Sequence, residues 1–151
     1  MVDARWLTLR EQQVWRHYIA ATRLVESEID RQLQRDVGLP ATYFEILVAL
    51  SEAPDHTLRM SEVADQLRFS RSRLSHAVAK MEQSGWITRQ ECPSDKRGAF
   101  AVLTDAGLAV LADAARGHVN NVRQLLFDVL TTEQQDQLGE ICALLRKANE
   151  V

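Results

Sequence analysis

The chain has 151 residues, and its 46% of apolar and 26% of charged residues are typical of a soluble globular protein with one sizeable core. The sequence contains no apolar run near the roughly 20 residues that a membrane span needs, and its first residues lack the basic and apolar segments of a signal peptide. The formal net charge of −3 gives no support to a nucleic-acid partner by itself, and we expect a cytoplasmic protein of one domain.

Two capping boxes predict where the first two helices begin. In Thr8-x-x-Glu11 the two side chains can satisfy free backbone N–H groups at a helix start. Apolar residues then recur every three or four positions until about residues 36–38, which predicts one long amphipathic helix. A second box, Thr42-x-x-Glu45, predicts a more apolar helix that ends before residue 54.

The centre of the chain predicts a helix, a turn, a basic helix and a β-hairpin. Residues 61–67 form the first helix and residues 70–80 the basic one. Two strands follow over 86–91 and 99–103, joined by a charged turn over 92–98 that contains Pro and Gly. At 100° per residue, the buried side of the basic helix is predicted to be Leu74, Ala77, Val78 and Met81.

Charge is distributed unevenly along the chain. Residues 59–104 hold eight Lys/Arg and five Asp/Glu, whereas the rest holds ten and sixteen. Within 66–81 there is no acid, and the four positive residues are Arg68, Arg71, Arg73 and Lys80. A whole-chain total hides such clustering. Basic residues on one helix are also typical of an ordinary solvated surface.

The predicted order of helix, turn, basic helix and β-hairpin is that of a winged helix-turn-helix. This motif can place a helix in a major groove and a hairpin in the adjacent minor groove. Ser70 is the predicted N-cap, and its helix start can bind a phosphate. Ser72 and His76 occupy the side opposite the buried one, while Asp95 and Arg97 can brace each other at the hairpin tip. A solvated surface with incidental charges is the alternative. The predicted DNA-binding residues are Ser70, Arg71, Ser72, Arg73, Ser75, His76, Lys80, Arg89, Asp95, Lys96 and Arg97.

Two further helices are predicted after the hairpin. Thr104-Asp105 begins a long one, and Thr131-x-x-Gln134 is a capping box for the last. The predicted inward stripe of the long helix is Leu108, Leu111, Ala115, His118, Val122, Leu125 and Val129. The predicted apolar face of the last helix is Leu138, Ile141, Cys142 and Leu145. These stripes fit either packing within one chain or a homodimer.

The sequence resembles the MarR family of transcriptional regulators over nearly its whole length. The match is most specific at the hairpin, where Asp95 and Arg97 fit the family's Asp-x-Arg-x pattern. Leu103-Thr104-x-x-Gly107 fits the start of the helix that follows it. The segments that carry the resemblance are residues 58–67, 69–85 and 92–107.

This resemblance implies a mainly α fold of six helices plus a β-hairpin wing. It implies one MarR-like domain over 1–151, with a winged helix-turn-helix module at 42–104 and dimerisation helices at 1–38 and 107–151. Such a protein is expected to be an obligate homodimer on a pseudo-palindromic operator. Most relatives are repressors, and many release DNA when a small aromatic acid or phenolic compound binds.

Four residues are candidates for an effector pocket. Trp15, Tyr18 and Tyr43 supply aromatic walls, and His118 supplies a polar group for a phenolate. The alternative is that Trp15 and Tyr18 belong to a dimer core and that His118 is a hydrogen-bonded buried histidine. Some relatives sense oxidants through a cysteine near the first helix, which this sequence lacks. Cys92, close to Arg89 and Lys96 in sequence, leaves thiol sensing as an alternative.

Other classes of function receive less support. Cys92 and Cys142 have neither Cys-x-x-Cys nor His spacing, so no zinc site or disulfide framework is predicted. A Gly-rich phosphate loop and a nucleophile with a nearby base are also missing from the sequence, so we expect no enzyme, cofactor or metal. A winged-helix protein-interaction module and a ligand-independent regulator remain alternatives. The stretch 66–81 contains no acidic residue, which favours DNA binding over a protein-interaction role.

Overall fold

The computed structural model describes residues 4–92 and 95–149, with the side chains of all of these except 92 and 95–97. The predicted order of six helices and a β-hairpin is confirmed. The α-helices are α1 (Leu9–Val37), α2 (Ala41–Glu52), α3 (Met60–Leu67), α4 (Arg71–Gln83), α5 (Asp105–Val122) and α6 (Thr132–Asn149). The strands are β1 (Thr57–Arg59), β2 (Ile87–Cys92) and β3 (Asp95–Leu103). None of the helices in these ranges is long and apolar enough to cross a membrane.

Two of the three predicted capping boxes are confirmed. Glu11 Oε2 accepts the Thr8 backbone N–H at 2.7 Å, and Thr8 Oγ1 accepts the Glu11 N–H at 3.3 Å. The two hydrogen bonds from Thr8 lower the pKa of Glu11 because they stabilise its charged form. The reciprocal pair of Thr131 and Gln134 opens α6 in the same way, at 3.0 and 3.3 Å.

The predicted capping box at Thr42 and Glu45 is wrong. Helix α2 begins at Ala41, and its N-cap is Pro40 at φ −60° and ψ 140°, whose own side chain makes no capping hydrogen bond. The ring of proline fixes this φ, which suits the residue that precedes a helix. The Pro40 carbonyl accepts the N–H groups of Tyr43 and Phe44. Thr42 therefore lies inside the first turn.

Two compact units make up the chain. The helical unit consists of Met1–Arg31 and Asn121–Val151, and the winged unit is Gln32–Asn120. Helices α1 and α5 each contribute residues to both units.

The winged unit contains a three-stranded antiparallel sheet in the order β1-β3-β2. Strand β1, which was not predicted, pairs Thr57 with Val102 and Arg59 with Phe100. The charged turn is shorter than predicted, because β2 runs to Cys92, which pairs with Asp95. Main-chain pairing thus continues into the charged segment that the turn-forming residues had suggested was a loop.

The core of the winged unit lies where α2, α3 and α4 pack together and against the strands. The four residues predicted to form the buried side of α4 are all buried. They share the core with apolar residues of the other elements, so the outward side of α4 is fixed by burial. These other buried residues include Ile46, Leu47, Leu50, Val63, Ile87, Ala101 and Leu103.

The predicted inward stripe from Leu108 to Val129 is wrong at its two ends, whereas Leu111, Ala115, His118, Val122 and Leu125 between them are half-buried. The buried residues of α5 are Gly107 and Ala114, while Leu108 and Val129 are 40% and 70% exposed. The α-helical repeat stops at residue 122, and a π-helical turn follows over Arg123–Phe127. A π-turn inserts an extra residue into the repeat, so a stripe extrapolated at 100° per residue loses its direction there.

Thr104 joins the start of α5 to the segment that follows α4. Its hydroxyl donates to the Gly85 carbonyl at 2.6 Å, and its N–H donates to the Trp86 carbonyl at 3.0 Å. The same hydroxyl oxygen accepts the Gly107 N–H at 3.1 Å, which caps α5. Gly85 has φ +77°, a conformation that favours glycine. A Cβ on Gly107 would lie 2.2 Å from the Trp86 carbonyl oxygen.

Replacing Gly107 with alanine should lower the free energy of unfolding by roughly 1–3 kcal/mol, the usual cost of overpacking a filled site. The added methyl meets a backbone carbonyl that already accepts a hydrogen bond. Urea denaturation at one protein concentration measures the change. Gly139→Ala in α6 is the matched control, because an added Cβ there meets nothing within 4 Å; alanine should be neutral or stabilising at this helical position. Equal effects of both substitutions would contradict this account.

Candidate nucleic-acid interface

Ser70 is the N-cap of α4, as predicted. Its side-chain oxygen accepts the Arg73 N–H at 3.1 Å, and its backbone carbonyl accepts the Leu74 N–H at 3.0 Å. The cap uses one of the free N–H groups of the first turn and leaves the turn at Arg71 and Ser72 open toward solvent. The first turn of α4 is therefore a suitable place for an anion.

The outward side of α4 carries most of the predicted DNA-binding residues. A helix of 13 residues is roughly 20 Å long, which is enough to cross a major groove about 12 Å wide. Hydroxyl, imidazole and cationic groups face outward together on this helix, and the stretch 66–81 contains no carboxylate. The exposed polar residues of α4 within this stretch are Arg71, Ser72, Arg73, Ser75, His76 and Lys80.

Arg89 joins β2 to α4. Its guanidinium donates to the Ser75 carbonyl at 3.2 Å and pairs with the Glu82 carboxylate, with Nε and Oε2 3.4 Å apart. Its backbone N–H donates to the other oxygen of Glu82 at 3.1 Å. Arg89 was predicted only as a DNA contact. Its role as a brace depends on Glu82, which lies on another element, and no local sequence pattern indicates that pairing.

A cleft of about 460 Å³ lies within the winged unit between α4 and the sheet. Its basic lining residues are Arg59, Arg71 and Arg89, and none of the lining residues with a described side chain is acidic. Arg59 lies over the Phe100 ring, 5.5 Å from its centroid. Arg59 was not among the predicted residues, because its strand β1 beside the wing could not be recognised from the sequence. The remaining lining residues are Met60, Ser61, Leu74, Ser75, Gly98 and Ala99.

Three predicted residues lie at the tip of the wing. The side chains of Asp95, Lys96 and Arg97 fall outside the described residues. The backbone places Asp95 at the start of β3. The predicted brace between Asp95 and Arg97 therefore stays a prediction.

The predicted effector-pocket residues fall in different units. In the helical unit, the rings of Trp15 and Tyr18 have centroids 6.1 Å apart. Both line an open apolar groove of about 670 Å³. In the winged unit, His118 packs on Phe44 with centroids 4.4 Å apart, and Tyr43 is half-buried. A pocket shared by all four predicted residues remains a prediction.

His118 is held by an aromatic contact. Its Nδ1 atom is buried and has no hydrogen-bond partner among the described residues, in contrast to the expectation of a hydrogen-bonded histidine. Burial lowers the pKa of His118 because desolvation penalises the imidazolium form. The described part of the chain contains no cluster of His, Cys, Asp and Glu suited to a metal ion.

Stability should fall as the pH drops below about 6.5, the ordinary pKa of histidine. The unfolded chain takes up a proton at His118 there, whereas the folded chain resists it until a lower pH, so protonation favours unfolding. We expect His118→Gln to reduce the loss of stability between pH 7 and pH 5, as measured by urea denaturation. The exposed His17→Gln is the control and should retain the wild-type dependence. An unchanged pH dependence in His118→Gln would contradict the assignment.

The chain is similar to known transcriptional regulators. The profile of the MarR family matches residues 37–98. The chain aligns over its whole length with Sco3205, a MarR family transcriptional regulator from Streptomyces coelicolor whose crystal structure is in complex with DNA. That alignment covers 94% of Sco3205, with 53% identity and a TM-score of 0.94.

Two further relatives agree with this similarity. AbsC, another MarR family regulator from Streptomyces coelicolor, shares 39% identity with a TM-score of 0.86, over 95% of this chain and 99% of AbsC. The transcriptional repressor MprA of Escherichia coli is 31% identical over 104 residues, or 69% of this chain. This alignment spans 58% of the length of MprA.

Proposed function

This chain belongs to the MarR family of transcriptional regulators, and we propose that it acts as a homodimeric repressor on an inverted-repeat operator. The similar proteins are regulators, which confirms the expectation that the chain is not an enzyme. We propose the cytoplasm as its place of action, since its operator would be chromosomal DNA. The MprA relative is a transcriptional repressor, and this supports repression.

The observation that carries the DNA-binding proposal is the exposed side of α4 over residues 71–80, which holds no acidic residue, beside the arginine-lined cleft. Ser72 and His76 are exposed at the centre of this side and are proposed to contact base edges in the major groove. Arg71 and Arg89, which line the cleft, are proposed to contact phosphates. The wing residues Asp95, Lys96 and Arg97 are proposed to act in the minor groove.

The helical unit supports a homodimer. Helix α6 buries none of its residues within the chain, and Val14, Trp15 and Ile141 are each more than half exposed. These three residues line the apolar groove of about 670 Å³ together with Leu7 and Leu145. Exposed apolar patches of this kind mark interaction surfaces. We propose that a second copy of the chain covers most of this one and leaves the paired rings of Trp15 and Tyr18 accessible to a small molecule.

Selection from a random DNA pool should recover an inverted repeat with half-site centres about 10 bp apart, because two recognition helices on one face of the duplex lie one turn apart. Affinity should fall steeply with salt, since each phosphate contact releases a counterion. Ser72→Ala and His76→Ala should change the preferred bases inside the half-site, as measured by repeating the selection.

The protein-interaction alternative predicts a different result. It would give a nearly flat salt dependence and no recovered consensus, and either outcome would contradict the proposed function. Thr22→Val is a suitable control for the variants, since the Thr22 hydroxyl donates only to carbonyls of its own helix.

We also propose that a small aromatic acid or phenol releases the operator. Two features support this, each within one unit: the paired rings of Trp15 and Tyr18 on an apolar groove, and the buried Nδ1 of His118 without a partner. Both are typical of sites that receive aromatic ligands with one polar group. The alternatives, ligand-independent or thiol-dependent regulation, assign no role to the ring pair or to the buried Nδ1 of His118.

Benzoate or phenol should quench tryptophan fluorescence and weaken operator binding by roughly 5- to 150-fold, the usual range of allosteric coupling. Operator DNA must weaken ligand binding by the same factor, because coupling between two sites is reciprocal. Trp15→Phe should lose most of the quenching. Equal quenching in both proteins, together with ligand affinity that DNA leaves unchanged, would contradict the pocket and the switch.

A further inference from the structure

Arg73 extends from the first turn of α4 toward α2. Its Nη2 atom donates to the Thr42 hydroxyl at 2.8 Å. Its guanidinium carbon also lies over the Phe69 ring, 4.1 Å from the centroid. Arginine stacks well on an aromatic face because its guanidinium is planar and weakly hydrated. The two contacts fix the far end of a side chain that is otherwise long and flexible.

The fixed guanidinium keeps most of its binding capacity. Arg73 is exposed, and the ion pairs found among the described residues do not include it. A guanidinium has five N–H donors, and the hydrogen bond to Thr42 uses one. The remaining donors and the full positive charge are available to an anion. Because the geometry is already set, less conformational entropy is lost when that anion binds.

Two helix starts lie at the same place. Arg73 is the third residue of α4, and Thr42 is the second residue of α2, so the hydrogen bond between them joins the first turns of both helices. First-turn N–H groups carry partial positive charge. This position therefore favours an anion over the neutral edge of a base.

We propose that Arg73 binds a DNA backbone phosphate and that Thr42 and Phe69 are the residues that position its guanidinium. This inference rests on the proposed function. It separates Arg73 from Ser72 and His76, its neighbours on α4: they specify the sequence, whereas Arg73 holds the helix on the duplex whatever the sequence.

Arg73→Ala should weaken binding to every operator variant by a similar factor of at least about tenfold, the order of one charge-assisted hydrogen bond. In a dimer the loss of two phosphate contacts should reduce the slope of log K against log salt by about 1.8. Titrations at several salt concentrations, on an operator set with single base changes, measure both quantities. Arg73→Lys keeps the charge but lacks the planar donors, so its operator affinity should lie between those of the wild type and Arg73→Ala.

Thr42→Val tests the positioning role, because it removes the hydroxyl and keeps the shape. We expect affinity to fall by about three- to tenfold in the wild-type background and to stay unchanged when Arg73 is already alanine. Phe69→Leu should behave likewise. Thr22→Val and the exposed Arg116→Ala are matched controls for hydroxyl and charge. Urea denaturation of each variant separates lost contacts from lost folding.

Three results would overturn the inference. A changed preference at one base pair with an unchanged salt slope would show that Arg73 reads a base. An equal effect of Thr42→Val with and without Arg73 would show that Thr42 acts by another route. If Arg73→Ala bound like wild type while Ser72→Ala changed specificity, the proposed function would stand and this inference would fail. Absence of salt-dependent binding by the wild type would instead contradict the proposed function.

Discussion

Burial of one side of α4 is the constraint on which the rest of the winged unit depends. Leu74, Val78 and Met81 are each at most 1% exposed. Because successive residues advance by about 100°, this burial decides which side chains face outward. The contacts of Arg73 with α2 and of Arg89 with Glu82 then restrict how the helix can shift within its unit. Packing thus sets the direction of the polar groups, and side-chain bonds refine it.

Features encoded within one turn of helix could be predicted from the sequence. The caps at Thr8, Ser70 and Thr131 depend on residues three positions apart, and the buried side of α4 depends on a repeat within one element. Strand β1 could not be predicted, since three residues give no periodicity and pair only with the distant β3. For the same reason the contact between Arg73 and Thr42 was missed, because 31 residues separate them.

Two further differences between prediction and structure concern α5 and α6. The first comes from extending a helical repeat too far, and the second from a surface that a single chain leaves uncovered. The stripe predicted along α5 assumed an unbroken α-helical repeat, which the π-helical turn at Arg123–Phe127 ends. Gly107 and Ala114 are buried there because small residues allow close approach, and hydrophobicity alone does not indicate that. The apolar face of α6 stays exposed in a single chain, with Ile141 and Leu145 among its exposed residues. A hydrophobic pattern shows that a surface needs covering and does not identify what covers it.

The ion pair between Glu82 and Arg89 has a consequence for how such a regulator would search a chromosome. Non-specific attraction to DNA grows with every uncompensated cation, and on the order of 10⁶–10⁹ competing sites hold the protein away from its target. Glu82 compensates part of the charge of Arg89 while fixing its direction. In a regulator that binds DNA as proposed, the carboxylate would shorten the residence time on arbitrary sequence and would keep the arginine aligned for a duplex that fits.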